Sequence, residues 1–213
     1  WTERSELKFR ASDINSNQNN MAILVTLDSS RIDYAQLQAN GEDLRFVDGD
    51  DITELAYEIE SWNPAGTSYV WVQVPQINAN STTDAIFIYW GNVAIGPGAN
   101  STATWPIDAE IVYHFDHAPP DDVITDTNGT NAGSTRVNGF INKSRDFDGS
   151  THFDTNISLD PWLGDTATMM FWMNTTDLGS SDPHDGNALT GDRKGSSPQK
   201  DIAWGWLDDS GHI

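Results

Sequence analysis

The segment YVWVQV at residues 69–74 alternates three valines with a tyrosine, a tryptophan and a glutamine. Successive side chains of a β-strand point to opposite faces of a sheet, so the valines share one face and the larger residues share the other. A strand with one wholly aliphatic face is typical of a sheet that packs this face against a second sheet. The segment therefore predicts one strand of an antiparallel β-sandwich.

Short β-branched and aromatic segments bounded by Gly, Pro, Asn or Asp surround this strand. They lie at residues 21–27, 44–47, 54–60 and 84–90. Several short strands separated by turn residues favour an antiparallel sandwich. One helical piece is predicted at residues 33–39, because Asp33 and Gln36 have the spacing of a capping box and Gly41 follows as a stop signal.

A boundary is predicted at GPGANST, residues 96–102, which combines glycine, proline and small polar residues. We expect a first β-sandwich domain at residues 1–98, a linker at 99–108 and a second domain at 109–213. The strands expected in the second domain lie at residues 110–115, 144–148, 166–173 and 201–207. The whole chain is therefore predicted to be all-β.

Four blocks of the first domain carry a family resemblance: GEDLRF at residues 41–46, YEIESWN at 57–63, VWVQVP at 70–75 and YWGN at 89–92. In this order and spacing they resemble a prokaryotic domain of unknown function, number 2341 of that kind, over residues 1–98. The resemblance implies a β-sandwich in a secreted or cell-envelope protein. It implies no particular reaction.

Blocks of the second domain resemble the opening of a laminin-G-like, concanavalin A-like jelly roll. They are IVYHFD at residues 111–116, DTNG at 126–129 and FDGS at 147–150, and TMMFWM at 168–173 is similar to the next core strand of that family. The resemblance implies a second sandwich. We expect this jelly roll to be truncated at its C-terminus, since too few residues follow the linker to complete it.

The chain is strongly acidic, with 32 Asp and Glu residues against 11 Lys and Arg and a formal net charge of −21. Such a surface repels the phosphates of nucleic acids and anionic lipid headgroups, so we expect no nucleic-acid partner. The acidic excess fits either solubility in a saline medium or calcium binding, and the two are compatible. No run of about twenty apolar residues occurs, so no membrane span is expected in this segment.

Oxygen-bearing side chains on two glycine-containing turns are the candidate metal ligands. Asp126 and Asn128 belong to the DTNG turn, which resembles the acidic turn that laminin-G-like domains place near calcium, and Asp148 belongs to FDGS. Hard carboxylate and amide oxygens suit calcium, and glycine permits the sharp backbone of the turn. Calcium is the one cofactor that the sequence suggests, and an ordinary Asx-turn is the competing explanation.

Glu58 and Glu60 form a candidate carboxylate pair. On a strand they point to the same face with Cα atoms about 6.5–7 Å apart, and retaining glycosidases hold two carboxyl groups about 5–5.5 Å apart. Laminarinase-type sandwiches use a related motif, but here Ile59 separates the two glutamates and no third acid follows. We therefore interpret the pair as a solvated strand face with Ile59 in the core, and we expect no catalytic residues.

These features favour a non-catalytic extracytoplasmic module of a prokaryotic envelope or surface protein, located in the periplasm, at the cell surface or outside the cell. Its partner would be a glycan or an envelope protein, or it would serve as a structural spacer. Two alternatives stay open. The first family also resembles the periplasmic head of proton-channel proteins, which include flagellar-stator and outer-membrane-energising motors. The glutamate pair leaves open a polysaccharide-degrading enzyme. The sequence does not predict an oligomeric state.

Overall fold

The computed structural model describes residues 1–116, 118–157, 168–175, 188–192 and 202–206, the last two segments by their backbone. Nearly all of the regular structure is β-strand, and the paired strands are antiparallel. The prediction of an all-β protein is therefore confirmed. Among the described residues, the helices are single turns, far shorter than a segment that could cross a lipid bilayer.

Two antiparallel sheets form the first part of the chain. Their strands are β1 Glu3–Lys8, β2 Gln18–Leu27, β3 Arg45–Val47, β4 Glu54–Leu55, β5 Tyr57–Ser61, β6 Ser68–Ile77 and β7 Ala85–Trp90. One sheet has the order β1-β7-β3-β4 and the other has the order β2-β6-β5. The long pair of the second sheet runs from Gln18 opposite Ile77 to Leu27 opposite Ser68.

The inner faces of the two sheets supply one hydrophobic core. Along β6 the three valines are completely buried, whereas the residues between them are only partly covered, as the alternation predicts. The completely buried apolar side chains of this layer include Phe46, Tyr57, Val70, Val72, Val74, Ile86 and Ile88. Each buried aliphatic side chain stabilises the fold by about 1.5–3 kcal/mol relative to an exposed one, so this layer dominates the stability of the sandwich.

The helical piece predicted at residues 33–39 is a single 3-10 turn, Tyr34–Gln36. The Asp33 carboxylate accepts a hydrogen bond from the backbone N–H of Ala35 at 3.0 Å and one from the Gln36 side chain at 3.1 Å. The expected cap is therefore present, but the helix ends within one turn.

The second part of the chain contains shorter elements. They are α1 Ser101–Thr104, β8 Thr130–Ala132, β9 Thr135–Asn138, β10 Lys143–Asp146, β11 His152–Asp154, β12 Ala188–Asp192 and β13 Ile202–Trp206. The strands pair two by two, as β9 with β10, β8 with β11 and β12 with β13. The strands predicted at residues 144–148 and 201–207 correspond to β10 and β13.

Two predicted strands of the second part are wrong. Residues 110–115 form no strand beyond an isolated bridge at Tyr113, because the buried Asp122 carboxylate accepts the N–H of Val112 at 2.6 Å and Phe115 has a φ of 59°. Of residues 166–173, the first two lie outside the described residues. The remainder forms no strand and is mostly exposed, with 76% of Trp172 accessible. The jelly-roll resemblance is therefore not confirmed.

Candidate functional site

Asp43 ties several loops together at one end of the sandwich. Its side chain is completely buried. One carboxylate oxygen accepts the backbone N–H of Gln38, and the other accepts the N–H groups of Gly91 and Asn92, each at 2.9 Å. Hydrogen bonds to an ionised acceptor are stronger than neutral ones, so this side chain is committed to the backbone of its own chain.

Arg45 binds backbone carbonyl groups at the same end of the sandwich. Its guanidinium donates to the carbonyl oxygens of Glu42 at 3.1 Å, Leu44 at 2.5 Å and Gly96 at 2.8 Å. A Cβ atom added to Gly98 would lie 2.2 Å from this guanidinium, so the close approach of the backbone requires glycine there. The arginine therefore fastens residues 96–98 to the sandwich.

Two aromatic residues of the family-like blocks also bind the backbone. The indole N–H of Trp62 donates to the carbonyl of Ala39 at 3.0 Å, and its ring lies against Gly41, where an added Cβ would meet it at 2.9 Å. The hydroxyl of Tyr57 donates to the carbonyl of Leu44 at 2.7 Å, and burial raises the pKa of Tyr57 to about 12. The phenol therefore remains a hydrogen-bond donor across the physiological pH range.

A cluster of acidic and aromatic side chains lies on the outer face of the three-stranded sheet β2-β6-β5. The register between β5 and β6 shifts between Ile59 and Ser61, which makes Glu60 the extra residue of a β-bulge. A bulge re-aims the side chain that it displaces. Here the Glu60 carboxylate accepts the indole N–H of Trp71 at 2.5 Å.

His114 lies between the two glutamates. Its Nε2 is 3.2 Å from Oε2 of Glu58, and its Nδ1 is 3.5 Å from Oε2 of Glu60. The indole N–H of Trp105 donates to the same Glu58 oxygen at 2.9 Å. The side chains of Glu58, Glu60 and His114 are only 10%, 4% and 13% exposed. We call Glu58, Glu60, Trp71, Trp105 and His114 the His–Glu cluster.

The interpretation of Glu58 and Glu60 as a solvated strand face is wrong. Residues 101–116 return across the outer face of β5, and they bring Trp105 and His114 onto the glutamates. Ile59 does pack against the core, as expected. Strand periodicity correctly assigns the side-chain faces, but it cannot show that a later part of the chain covers the outer one.

The charges of the cluster favour a protonated imidazole. Burial by itself would lower the pKa of His114, but the hydrogen bond to Glu58 and the negative charges of Glu60 and Asp116 raise it above its ordinary value. Burial raises the pKa of Glu60, and the pairing with His114 opposes that effect. The cluster therefore places one cation between two acidic side chains.

An open cleft of about 510 Å³ lies beside the cluster. Its charged lining residues are Glu58, Glu60, His114, Asp116, Asp121, Asp122 and Asp126, and no Lys or Arg among the described residues lines it. Asp122 is completely buried, and its carboxylate accepts the backbone N–H groups of Val112 at 2.6 Å and Thr125 at 2.8 Å. The Asp122 carboxylate therefore fixes the backbone next to residues that line the cleft.

The predicted calcium ligands lie in different surroundings. Asp126 lines the cleft, whereas Asp148 does not. The backbone of Asn128 bridges to Asp121. The Asp148 carboxylate accepts the N–H and hydroxyl of Ser150 at 3.0 and 2.8 Å, which are the hydrogen bonds of an Asx-turn. Within the described residues, no group of three or more His, Asp or Glu side chains is placed to hold a metal ion.

Sequence reasoning missed His114 and Trp105 as partners of the glutamates. Five histidines in the chain show no zinc spacing, which gives no reason to select one of them. The available signal was Trp71, a large aromatic residue on the outer face of β6. It lies opposite Glu58 in the register, and its ring packs at a tilt of 48° against Trp105, with the ring centroids 5.1 Å apart.

The fold and these contacts define an antiparallel β-sandwich whose conspicuous polar side chains bind other parts of the same chain. Residues 40–130 match the model of a family described as "Domain of unknown function (DUF2341)", so this range is a domain of that family. The resemblance predicted over residues 1–98 is confirmed for residues 40–98; residues 1–39 lie outside the match, and the match continues to residue 130. Neither a curated protein nor a solved structure matches the chain.

The matched range contains every member of the His–Glu cluster. It also contains residues 99–108, where Thr104 is completely buried and Asn100 donates its N–H to the carbonyl of Tyr57 at 2.8 Å. The domain boundary in this region stays a prediction, although the segment itself packs against the sandwich.

Proposed function

We propose that this chain is a non-catalytic extracytoplasmic module of a prokaryotic envelope or surface protein, with a glycan or an envelope protein as its partner. The strongest support is that polar side chains of the GEDLRF block bind the backbone of their own chain. Asp43 and Arg45 are nearly completely buried, and both bind backbone groups of their own chain. Residues used in this way build a scaffold rather than a reaction centre.

The glutamate pair fits the same proposal. A general acid or nucleophile must reach the substrate with a free proton or lone pair. The Oε2 atoms of both glutamates already accept indole N–H groups and face one imidazole, and the side chains are nearly buried. These contacts support a structural role for the pair.

One observation favours the hydrolase alternative and calls for a direct test. A carboxyl group whose pKa is raised by burial, next to a second carboxylate at a cleft, is typical of acid–base pairs in glycosidases. The motor-head alternative depends on apolar spans of about twenty residues elsewhere in the same protein. The reading frame around this segment tests that alternative.

The purified chain should release no reducing ends from β-glucan, xylan, chitin or peptidoglycan above a protein-free blank. The same result is expected for Glu58→Gln, Glu60→Gln and the exposed control Glu6→Gln. Retention of the intact protein on the insoluble polymers is measured in parallel, because a non-catalytic glycan-binding module retains substrate without cleaving it. Turnover by the wild type would contradict the proposal, and its loss in Glu58→Gln or Glu60→Gln but not in Glu6→Gln would place the reaction in the His–Glu cluster.

We also propose calcium as a cofactor at the turn of Asp126 and Asn128, with Asp148 as the third ligand that the sequence suggests, although Asp148 does not line the same cleft. An ion present at 100 times its dissociation constant stabilises the folded state by about 2.7 kcal/mol. We therefore expect melting to occur several degrees higher in calcium than in chelator, with Asp126→Asn reducing the difference and the exposed control Asp13→Asn preserving it. Identical wild-type melting curves with calcium and with chelator would remove calcium from the account.

A further inference from the structure

The residues around His114 bind the second part of the chain. The hydroxyl of Tyr113 lies 3.0 Å from the carbonyl oxygens of both Thr127 and Thr155, which share its one O–H donor. Its ring packs edge-on against Phe153 of β11, with the ring centroids 5.2 Å apart. The chain at His114 is therefore anchored to the elements that follow it.

His114 itself faces the sandwich. Its ring lies between the carboxylates of Glu58 and Glu60, and it packs at 5.6 Å against Trp105. Trp105 in turn packs against Trp71 of β6. One side chain therefore connects the strands of the sandwich to the second part of the chain.

The charged groups that face this imidazole are acidic. Glu58 and Glu60 face it from β5, and Asp116 faces it from its own segment. Asp121, Asp122 and Asp126 line the adjoining cleft. The amide of Asn142 donates to Asp116 at 3.1 Å, so the acid nearest in sequence also binds the second part of the chain.

We propose that the His–Glu cluster is a pH-sensitive latch, in which protonated His114 fastens residues 101–116 to the sandwich and deprotonation releases them. An imidazolium carries two N–H donors, one for each glutamate, whereas a neutral imidazole carries only one. Loss of the proton therefore leaves one nearly buried carboxylate with its indole N–H but without an imidazole donor, and leaves two negative charges side by side. This device lies beyond the proposed function and does not depend on a ligand.

The direction of the pH dependence follows from the raised pKa of His114. The stabilisation is fully present below the unfolded pKa of about 6.5, and it is lost as the pH rises through the higher pKa of the folded state. Burial also raises the pKa of Glu60, which changes stability with pH in the same direction. The transition is therefore assigned to the histidine by following its own imidazole signal.

The test is hydrogen exchange of the full chain between pH 6 and 9.5, corrected for the intrinsic exchange rate and analysed by mass spectrometry. Protection of peptides from residues 101–116, relative to β6, should fall by about tenfold for each unit by which folding raises the pKa. The exposed-histidine control His152→Gln should show the same fall, and His114→Gln should have low protection at every pH. A wild-type protection that does not change with pH would overturn the latch.

A second readout needs no variant that alters the cluster. The imidazole C–H signal of His114 in the wild type, assigned by nuclear magnetic resonance, should titrate with a midpoint above about 6.5. A midpoint at or below that value would overturn the latch. Neither measurement involves a glycan, a partner or turnover, so failure of the latch would leave the proposed function standing.

Discussion

Replacing Asp43 with alanine should lower the free energy of unfolding by about 3 kcal/mol. The substitution removes a completely buried carboxylate and leaves the N–H groups of Gln38, Gly91 and Asn92 without their acceptor. A buried donor that loses its partner costs about 1–3 kcal/mol, and several donors are affected together. Urea denaturation followed by tryptophan fluorescence measures the effect.

Asp13→Ala is the matched control for that substitution, because Asp13 is exposed and hydrogen-bonds only locally, to Ser12. Its effect should stay within about 0.5 kcal/mol, as for most surface positions. A loss of stability equally small for Asp43→Ala would mean that the buried carboxylate does not hold the loops together. The structural explanation of the GEDLRF and YWGN blocks would then fail.

Replacing Glu58 with alanine should lower the free energy of unfolding by about 2 kcal/mol at pH 6. The change removes the acceptor for Trp105 and the closest counter-charge of His114. Because the histidine can lose its proton in response, the cost is smaller than for a buried charge that cannot titrate. Glu6→Ala on β1 is the control, since its ion pair with Lys8 is exposed and exposed pairs contribute about 0–1 kcal/mol. Equal effects of the two substitutions would contradict the role of the cluster.

The sandwich could be predicted because its strands are specified by patterns within short stretches of the sequence. The alternation of β6 and the turn residues around each short strand specify the faces and the boundaries, and the core valines lie where the pattern places them. The bulge at Glu60 could not be predicted, since an extra residue disturbs the register without changing the composition of the strand. The predicted strand at residues 54–60 is divided at Ala56, where the chain passes from β4 in one sheet to β5 in the other.

The candidate site could not be predicted because it joins residues distant in sequence. The contact between His114 and Glu58 spans 56 positions and depends on how residues 101–116 return to β5. The apolar segment at 110–115 reads as a strand, but the side chain of Asp122 captures its backbone instead. In both places a tertiary contact overrides the local pattern.

A double-mutant cycle between Glu58 and His114 tests most directly whether the acidic pair is structural. The free energies of unfolding of the wild type, Glu58→Ala, His114→Ala and the double variant are measured at pH 6. Side chains in direct contact show coupling energies of about 0.5–3 kcal/mol, and we expect about 1–2 kcal/mol here because this charged hydrogen bond is nearly buried. Additive effects of the two substitutions would show that the glutamate and the histidine do not hold residues 101–116 on the sandwich.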